Sequence, residues 1–426
     1  MEQLAVHFTS NDDDAIEICK EYWKLSAPGK WNNTVAEIAR LYGMPPREVS
    51  QLVKESSYVI DNTRLCRLCS SPYIAKVRSD MPMASLGIGS SNSRSFVCEK
   101  CLDADRAEKE KQKAAEQALM NERIERYRSE LKERADEIRE NATSVDDLPG
   151  YYAIILLALL KHSGSEKLEY IEPIDQNPVD ELAPSAKMAM DLLNDLQEID
   201  VIIKSYRSPS GSLLVTPEGE RRYYPLGISW EVGIFALSKD NMDLPAVYSW
   251  LNIHLPRKEF RDPAWGSILH LGRKVVLEEA LAYLNLELDR RGFPEREGEK
   301  TIITLREALS HFSLSQVFWI ISNQLRHVSD RHRQGQSYGL PHASNQVISG
   351  IARYTERAVA NQWDVTRFKR DYDQPQSVIS RVIFNHILKT DDGGFHHNLD
   401  ELFSQFEEHN THIEMLENLK DTDIPF

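Results

Sequence analysis

Two cysteine motifs, Cys66-Arg-Leu-Cys69 and Cys98-Glu-Lys-Cys101, organise the sequence of this chain. In a CxxC motif the first and fourth residues curl around one point, so both thiolates can reach the same tetrahedral Zn²⁺ at about 2.3 Å. Two such pairs complete a four-cysteine site with no open coordination position, which is typical of a structural rather than a catalytic metal. The sequence therefore predicts one structural zinc ion bound by Cys66, Cys69, Cys98 and Cys101.

Two other interpretations of these cysteines are a pair of disulfides and a redox-active CxxC. The redox interpretation is disfavoured because two matched pairs lie close together and no βαβ pattern surrounds them. Between the pairs, the Gly- and Ser-rich residues 85–95 predict a flexible excursion. The fifth cysteine, Cys19, falls on a predicted amphipathic helix, and we expect it to be a small buried hydrophobe.

The composition predicts a soluble protein with several domains. A chain of 426 residues can hold roughly two to four domains that each bury a core. The formal net charge of −15 excludes a generally basic nucleic-acid coat. The apolar run 151–160 is too short to span a bilayer, and no signal peptide is predicted. We therefore expect a cytoplasmic protein with no membrane contact, in a reducing compartment that keeps the cysteines available for metal.

Charge is distributed unevenly along the chain. Residues 24–101 carry eleven Lys and Arg side chains against six Asp and Glu, and residues 321–390 carry ten against five. Residues 391–426 carry ten acidic side chains and one lysine. A negatively charged partner therefore has two segments to bind, and the C-terminal segment is not one of them.

Residues 34–54 predict two short helices joined by a tight turn. Thr34 can cap the first helix together with Glu37, and Gly43 can supply the left-handed residue that ends it. Two prolines then suit the first turn of the second helix, where amide hydrogens lack partners. Together with the helix predicted over 12–25, this stretch resembles the helix-turn-helix of DNA-binding proteins.

The resemblance implies that the second helix enters the major groove and presents its outward side chains to DNA. These outward side chains are Arg47, Ser50, Gln51 and Lys54. The cysteine segment adds basic side chains that we expect on its surface, namely Arg64, Arg67, Lys76, Arg78 and Arg94. Arg64, just before the first motif, and Arg67, within it, complete the candidate DNA-binding set. A protein-binding or structural three-helix module is the alternative, and Glu48 and Glu55 on the second helix would repel phosphates.

The head, residues 1–101, thus resembles a helix-turn-helix followed by a four-cysteine zinc ribbon. Residues 102–146 predict a long charged helix, whose partial heptad stripe permits either a coiled coil or packing onto the body of the protein. Residues 147–225 resemble a winged helix in which 201–206 and 212–215 form a hairpin; a protein-facing or structural unit is the alternative. The expected fold class is mainly α and multidomain.

The C-terminal body, residues 226–390, has helical periodicity throughout. The predicted helices are 244–255, 265–290, 301–331, 343–362 and 375–389. Residues 391–426 predict an acidic amphipathic tail that docks as a helix. Arg326 and His332 resemble the metal-free RNase motif of the HEPN helical family, in which the His is the general acid/base and the Arg steadies the phosphate. The alternative is a cationic helix C-terminus that complements the helix dipole.

The function that we expect from these features is non-enzymatic and linked to nucleic acid. The chain is predicted to be a zinc-containing DNA-binding regulator or adaptor, with an organisation similar to regulators of mobile elements and phage-defence systems. An interaction scaffold in a larger assembly is the second hypothesis, and a HEPN-type RNase is the third. DNA and either a protein partner or a second copy of the chain are the expected partners, and no small-molecule substrate is evident because no Walker, GxGxxG, HExxH, kinase or GxSxG motif occurs.

Overall fold

The computed structural model confirms the mainly α fold class, with short strands between the helices. The described residues are 4–27, 30–81, 96–177, 180–236, 243–295, 298–335 and 339–406. By its internal contacts the chain divides into two compact units, Met1–Leu119 and Met120–Phe426. The predicted excursion 85–95 and the end of the acidic tail lie outside the described residues.

Three helices form the core of the N-terminal unit. They are α1 (Asp13–Trp23), α2 (Val35–Leu41) and α3 (Pro46–Ser56). The start of α2 and the turn between α2 and α3 are formed by the residues that the sequence predicts for them. The Thr34 hydroxyl accepts from the Glu37 amide while the Glu37 carboxylate accepts from Thr34, which is the predicted capping box. Gly43 adopts φ +66° in the turn between α2 and α3, as predicted.

The three helices bury a shared apolar face. Ile18 of α1, Ile38 of α2, and Val49 and Val53 of α3 are each at most 3% exposed. Cys19 is fully buried in the same cluster, as predicted. Burial raises the pKa of its thiol, so it is a small hydrophobe rather than a reactive group.

A small antiparallel sheet completes the N-terminal unit. Its strands are β1 (Leu4–Phe8), β4 (Ser57–Leu65) and β5 (Pro72–Ala75), in the order β1–β4–β5, and a separate two-stranded ribbon joins β2 (Leu25–Ala27) to β3 (Lys30–Trp31). The central strand β4 continues directly from α3. It brings the chain to the first cysteine motif, because Cys66 follows its last residue.

The predicted long helix is α4 (Glu99–Glu140), and the boundary between the two units falls within it. Its residues 103–119 are exposed. In the C-terminal unit, Tyr127, Leu131 and Ile138 of its apolar stripe are buried against residues of the same chain. The C-terminal part of α4 therefore packs onto the helical body through these residues.

The C-terminal unit is a helical body that carries several two-stranded ribbons. Its strands are β6 (Thr143–Ser144), β7 (Ile202–Lys204), β8 (Leu213–Val215), β9 (Arg221–Tyr223), β10 (Trp230–Val232) and β11 (Ile234–Phe235). Its helices are α5 (Gly150–Ser163), α6 (Ala186–Glu198), α7 (Leu244–His254), α8 (Lys258–Arg261), α9 (Trp265–Asp289), α10 (Glu299–His311), α11 (Leu314–Arg333), α12 (Leu340–Ala360), α13 (Val378–Ser380) and α14 (Gly393–His396), and a π-helical turn spans Arg381–Ile387. Helix α5 is apolar on all sides and lies at the centre, where it contacts α6, α7, α9 and α13.

Among the described helices, none has the length and hydropathy that crossing a bilayer requires.

Two sequence predictions for this unit are wrong. The segments 201–206 and 212–215 do not pair with each other; β7 pairs with β10, and β8 pairs with β9. The helix predicted over 301–331 is divided into α10 and α11 because Ser313 starts a new helix, with a capping box to Gln316. The start of the acidic segment does dock: residues 399–406 are helical, and Leu402 and Phe403 are buried.

Candidate metal centre and nucleic-acid contacts

The structure brings the four predicted cysteines together. The Sγ atoms of Cys66, Cys69, Cys98 and Cys101 all lie within 4.8 Å of one another. A tetrahedral site with metal–sulfur bonds of about 2.3 Å has sulfur–sulfur edges of roughly 3.8 Å, and Cys69 and Cys98 are already 3.4 Å apart. All five cysteines of the chain are free, so the arrangement is a cluster of thiols rather than a pair of disulfides.

The first motif is held by a tight turn after β4. The Cys66 amide donates to the Ser71 carbonyl over 2.7 Å, and the Ser70 amide donates to the Cys66 carbonyl over 2.8 Å. Ser70 adopts φ +57°, which lets the chain reverse directly after the second cysteine. The turn therefore points both sulfurs of this motif toward one place.

The second motif uses the start of a helix for the same purpose. Cys98 lies just before α4, and its carbonyl accepts from the amides of Cys101 and Leu102, each over 3.0 Å. Cys101 is consequently one turn further along the same helix end. The N-terminus of a helix also favours negative charge, such as that of a thiolate.

Hydrogen bonds across the cluster join the two motifs. The Arg67 amide donates to the Phe96 carbonyl over 3.1 Å, and the Cys98 amide lies 3.3 Å from the Cys66 sulfur. The Phe96 ring packs edge-on against Tyr73 of β5, with centroids 5.0 Å apart. The backbone thus holds the start of α4 against the β4–β5 turn.

The electrostatics of the cluster suit a divalent cation. The hydrogen bond from the Cys98 amide lowers the pKa of Cys66 to about 6, and the Ser71 hydroxyl lowers the pKa of Cys69. The neighbouring sulfurs of Cys69 and Cys98 raise the pKa of Cys101 to about 12. Thiolates this close together repel one another, and a bound metal ion replaces their protons and removes that repulsion. Among the described residues, these four cysteines are the group of His, Cys, Asp and Glu side chains placed to hold a metal ion.

The predicted DNA-contacting side chains of α3 lie on its outer side. Arg47, Gln51 and Lys54 are exposed, opposite the buried Val49 and Val53. Ser50 is half-buried and its hydroxyl donates back to the Pro46 carbonyl over 3.2 Å. The Gln51 amide donates to the Glu55 carboxylate one turn later, so this pair must separate before Gln51 can contact a base.

Basic side chains near the cysteines differ in exposure. Arg67 is exposed in the turn of the first motif, and Arg64 is half-buried with its guanidinium 5.6 Å from the centre of the Tyr73 ring. The expectation that Arg78 is a surface charge is wrong. Its guanidinium donates to the carbonyls of Tyr22 and Asn33 and lies 4.3 Å from the Tyr22 ring centre, so it joins α1 to the turn after β5.

The structure does not bring Arg326 and His332 together. Both lie on α11, where a separation of six residues leaves their side chains about 120° apart around the helix axis. Arg326 is exposed, whereas the half-buried His332 ring packs edge-on against Phe293 with centroids 5.7 Å apart. The two side chains therefore have no common face within one chain on which to hold a phosphate.

Comparison with known proteins adds no family to these observations. No protein-family model, no curated protein and no solved structure matches the chain.

Proposed function

We propose that this chain is a zinc-containing DNA-binding regulator or adaptor, in which α3 is the helix that contacts DNA. The observation that carries the proposal is the division of α3 into two sides. Val49 and Val53 face the core of the N-terminal unit, while Arg47, Gln51 and Lys54 project into solvent. Arginine and glutamine can pair with base edges, and lysine neutralises phosphate.

Zinc is the metal that we assign to the cysteine cluster. Four thiolates form a soft, closed ligand set that suits zinc, and the cluster holds only protein ligands. The metal would fasten the turn after β4 to the start of α4. Because β4 also continues directly from α3, the same ion would stabilise the element that follows the proposed DNA-contacting helix.

The basic residues beside the cluster extend the proposed contact surface. Exposed Arg67 would position the phosphate backbone, with Arg64 beside it, whereas base contacts would come from α3. Glu48 and Glu55 lie on the same helix and would reduce the affinity for any duplex. We therefore expect binding that depends strongly on salt and on sequence, as suits a regulator of a mobile element or a phage-defence system.

A salt titration of the full chain tests this proposal. Affinity for random duplex DNA would be measured by fluorescence anisotropy from about 50 to 200 mM salt, where a protein that neutralises several phosphates loses orders of magnitude in affinity. The variant Arg47→Ala/Lys54→Ala should weaken binding at every salt concentration. It should also reduce the slope of log affinity against log salt by about 1 to 2.

The matched control for this titration is Lys20→Ala. Lys20 is exposed on α1 and belongs to the same unit, but it is not on α3. We expect it to bind DNA as the unsubstituted protein does. Absence of DNA binding at the lowest salt, or equal binding by the double variant, would contradict the proposal and favour the interaction scaffold instead.

A further inference from the structure

A cavity of about 470 Å³ opens between α11 and α12 in the C-terminal unit. This volume lies in the range of small-molecule sites. His327 and Arg331 line one wall from successive turns of α11, and Arg353 and Arg357 line the other from successive turns of α12. Three arginines therefore line one space.

These arginines are not neutralised by nearby carboxylates. Within the described residues, Arg331, Arg353 and Arg357 form no ion pair, whereas Arg290 of the same unit pairs with Asp371 over 2.7 Å. Like charges that face a shared cavity repel one another, and an anion bound among them removes that repulsion. The cavity is thus built for a negatively charged ligand.

A second and larger cavity has a lining of different charge. It has a volume of about 640 Å³ and is lined by Arg257 and Lys258 together with Asp146 and Glu259. Its opposite charges balance within the wall. Only the cavity between α11 and α12, of these two, presents unbalanced positive charge.

Two aromatic side chains also line the cationic cavity, beside the polar Asn323 and Gln324. The Trp319, Tyr354 and Trp363 rings follow one another with centroid separations of 5.6 and 5.5 Å. Tyr354 and Trp363 line the cavity, and 44% of Trp363 is exposed at the end of this series. A planar ring could stack on Trp363 while its charged substituent reaches the arginines.

We propose that this cavity binds a nucleotide. The phosphate would accept hydrogen bonds from Arg331, Arg353 and Arg357, and the base would stack on Trp363. The nucleotide could be a free mononucleotide or one residue of a single strand, because both present the same phosphate and base. This proposal is independent of DNA binding by α3, since the cavity lies in the other unit.

Calorimetric titration of the full chain tests the proposal. The probes are AMP, GMP, CMP and UMP in separate titrations, adenosine as the phosphate-free control, inorganic phosphate, and single-stranded pentathymidylate. We expect at least one mononucleotide or the pentathymidylate to bind saturably, and adenosine to bind at least about tenfold more weakly than AMP if AMP binds. If pentathymidylate binds at least tenfold more tightly than every mononucleotide, the ligand is one residue of a single strand. Otherwise the ligand is a free mononucleotide.

Three variants connect any binding to the cavity. Arg353→Ala/Arg357→Ala should weaken binding of the preferred probe by more than about tenfold. Trp363→Ala should weaken nucleotide binding but leave the affinity for inorganic phosphate unchanged. Arg306→Ala removes an exposed arginine of α10 that does not line the cavity, and it should bind as the unsubstituted protein does.

Circular dichroism and a melting curve on each variant separate loss of a contact from loss of folding. The substituted side chains are exposed, so we expect the variants to fold. The proposal is wrong if none of the mononucleotides and no pentathymidylate binds at millimolar concentration. It is equally wrong if the folded double arginine variant binds the preferred probe as tightly as Arg306→Ala does.

Discussion

The Arg370 guanidinium donates a hydrogen bond over 3.1 Å to the carboxylate of Glu279, whose side chain is only 2% exposed. The same guanidinium makes two hydrogen bonds of 2.9 Å to Asp392, which holds a left-handed φ of +61°. Arg370 lies in the segment after α12, Glu279 is on α9, and Asp392 directly precedes α14. One half-buried cation therefore joins three separate parts of the C-terminal unit.

Replacing this cation should destabilise the C-terminal unit. Arg370→Met keeps a long apolar side chain but leaves Glu279 buried without its charge partner. Breaking a buried ion pair from one side costs about 3–5 kcal/mol, and we expect about 3 kcal/mol by urea denaturation at pH 7.5. The matched control is Arg367→Met, which removes an exposed arginine and should change the free energy of unfolding by less than about 0.5 kcal/mol.

The effect of Arg370→Met should also depend on pH. Burial already raises the pKa of Glu279, and loss of the opposing charge of Arg370 should raise it further. A carboxyl group with a raised folded-state pKa destabilises the protein above that pKa, and this effect disappears as pH falls toward the unfolded value. The difference from the unsubstituted protein should therefore shrink from pH 7.5 to pH 5. Equal stability of the two methionine variants at pH 7.5 would contradict the structural role of Arg370.

Removing one sulfur of the cysteine cluster should release the metal. Cys69 is exposed, so Cys69→Ser changes the ligand set without disturbing the core. We expect one zinc per unsubstituted chain by atomic emission and far less in the variant. The stability of the N-terminal unit should fall on the order of 5 kcal/mol, because binding of a structural metal contributes directly to folding.

The control for metal content is Cys19→Ala. This substitution also removes a thiol, but Cys19 is buried among α1, α2 and α3, away from the cluster. The variant should keep its full zinc content even if it melts at a lower temperature. A chain that contains no zinc, or a Cys69→Ser variant that retains it, would show that the cluster does not bind this metal.

Two glycines should respond oppositely to alanine. Gly43 and Gly266 each have space for a methyl group, since in the described part of the chain no atom beyond the adjacent backbone lies within 4 Å of the Cβ position. Gly43 has φ +66°, so Gly43→Ala should cost about 1 kcal/mol through backbone strain. Gly266 lies in α9, where alanine restricts the unfolded chain and should stabilise by up to about 1 kcal/mol. Urea denaturation measures both changes, and destabilisation by Gly266→Ala would contradict the geometry of α9.

Acidification should lower the free energy of unfolding through the protonation of His386. Its ring Nε2 donates to the Asn252 carbonyl over 2.9 Å, and burial followed by the charge of Lys161 lowers the pKa of the ring. The unfolded chain therefore binds more protons than the folded chain as pH falls below about 6.5, so stability falls there. His386→Gln keeps a donor to Asn252 without titrating, and its stability should decline less between pH 7.5 and pH 5.

The exposed His397 supplies the control for this measurement. His397→Gln replaces an exposed histidine of the same unit, and the stability of this variant should follow that of the unsubstituted protein from pH 7.5 to pH 5. Identical pH profiles for the His386 and His397 variants would mean that His386 is not held in its neutral form.

Features set by neighbouring residues could be predicted from the sequence. The CxxC spacing brings two sulfurs together within four residues, and the Thr34–Glu37 box and Gly43 act within one turn of the backbone. These interactions need only residues that are close in the sequence and do not depend on contacts between distant segments. This is why the cysteine cluster, the bounds of α2 and α3, and the long helix α4 agree with the sequence predictions.

Features that join distant residues were decided by the tertiary structure alone. β7 and β8 flank the turn around residue 208, and the sequence of each suits a strand. They do not pair with each other: β7 pairs with β10 and β8 with β9, and this choice depends on how the whole body packs. The role of Arg78 also depends on tertiary contacts. Its neighbours in the sequence do not distinguish it from a surface charge, but in the fold it donates to the carbonyls of Tyr22 and Asn33. The cationic cavity likewise exists because α11 and α12 pack with their arginine-bearing faces together. The sequence by itself determined most of the helices, their caps and the four cysteines of the cluster, because these depend on neighbouring residues. Packing between remote segments determined which charges are buried and which are paired, because those contacts join residues far apart in the chain.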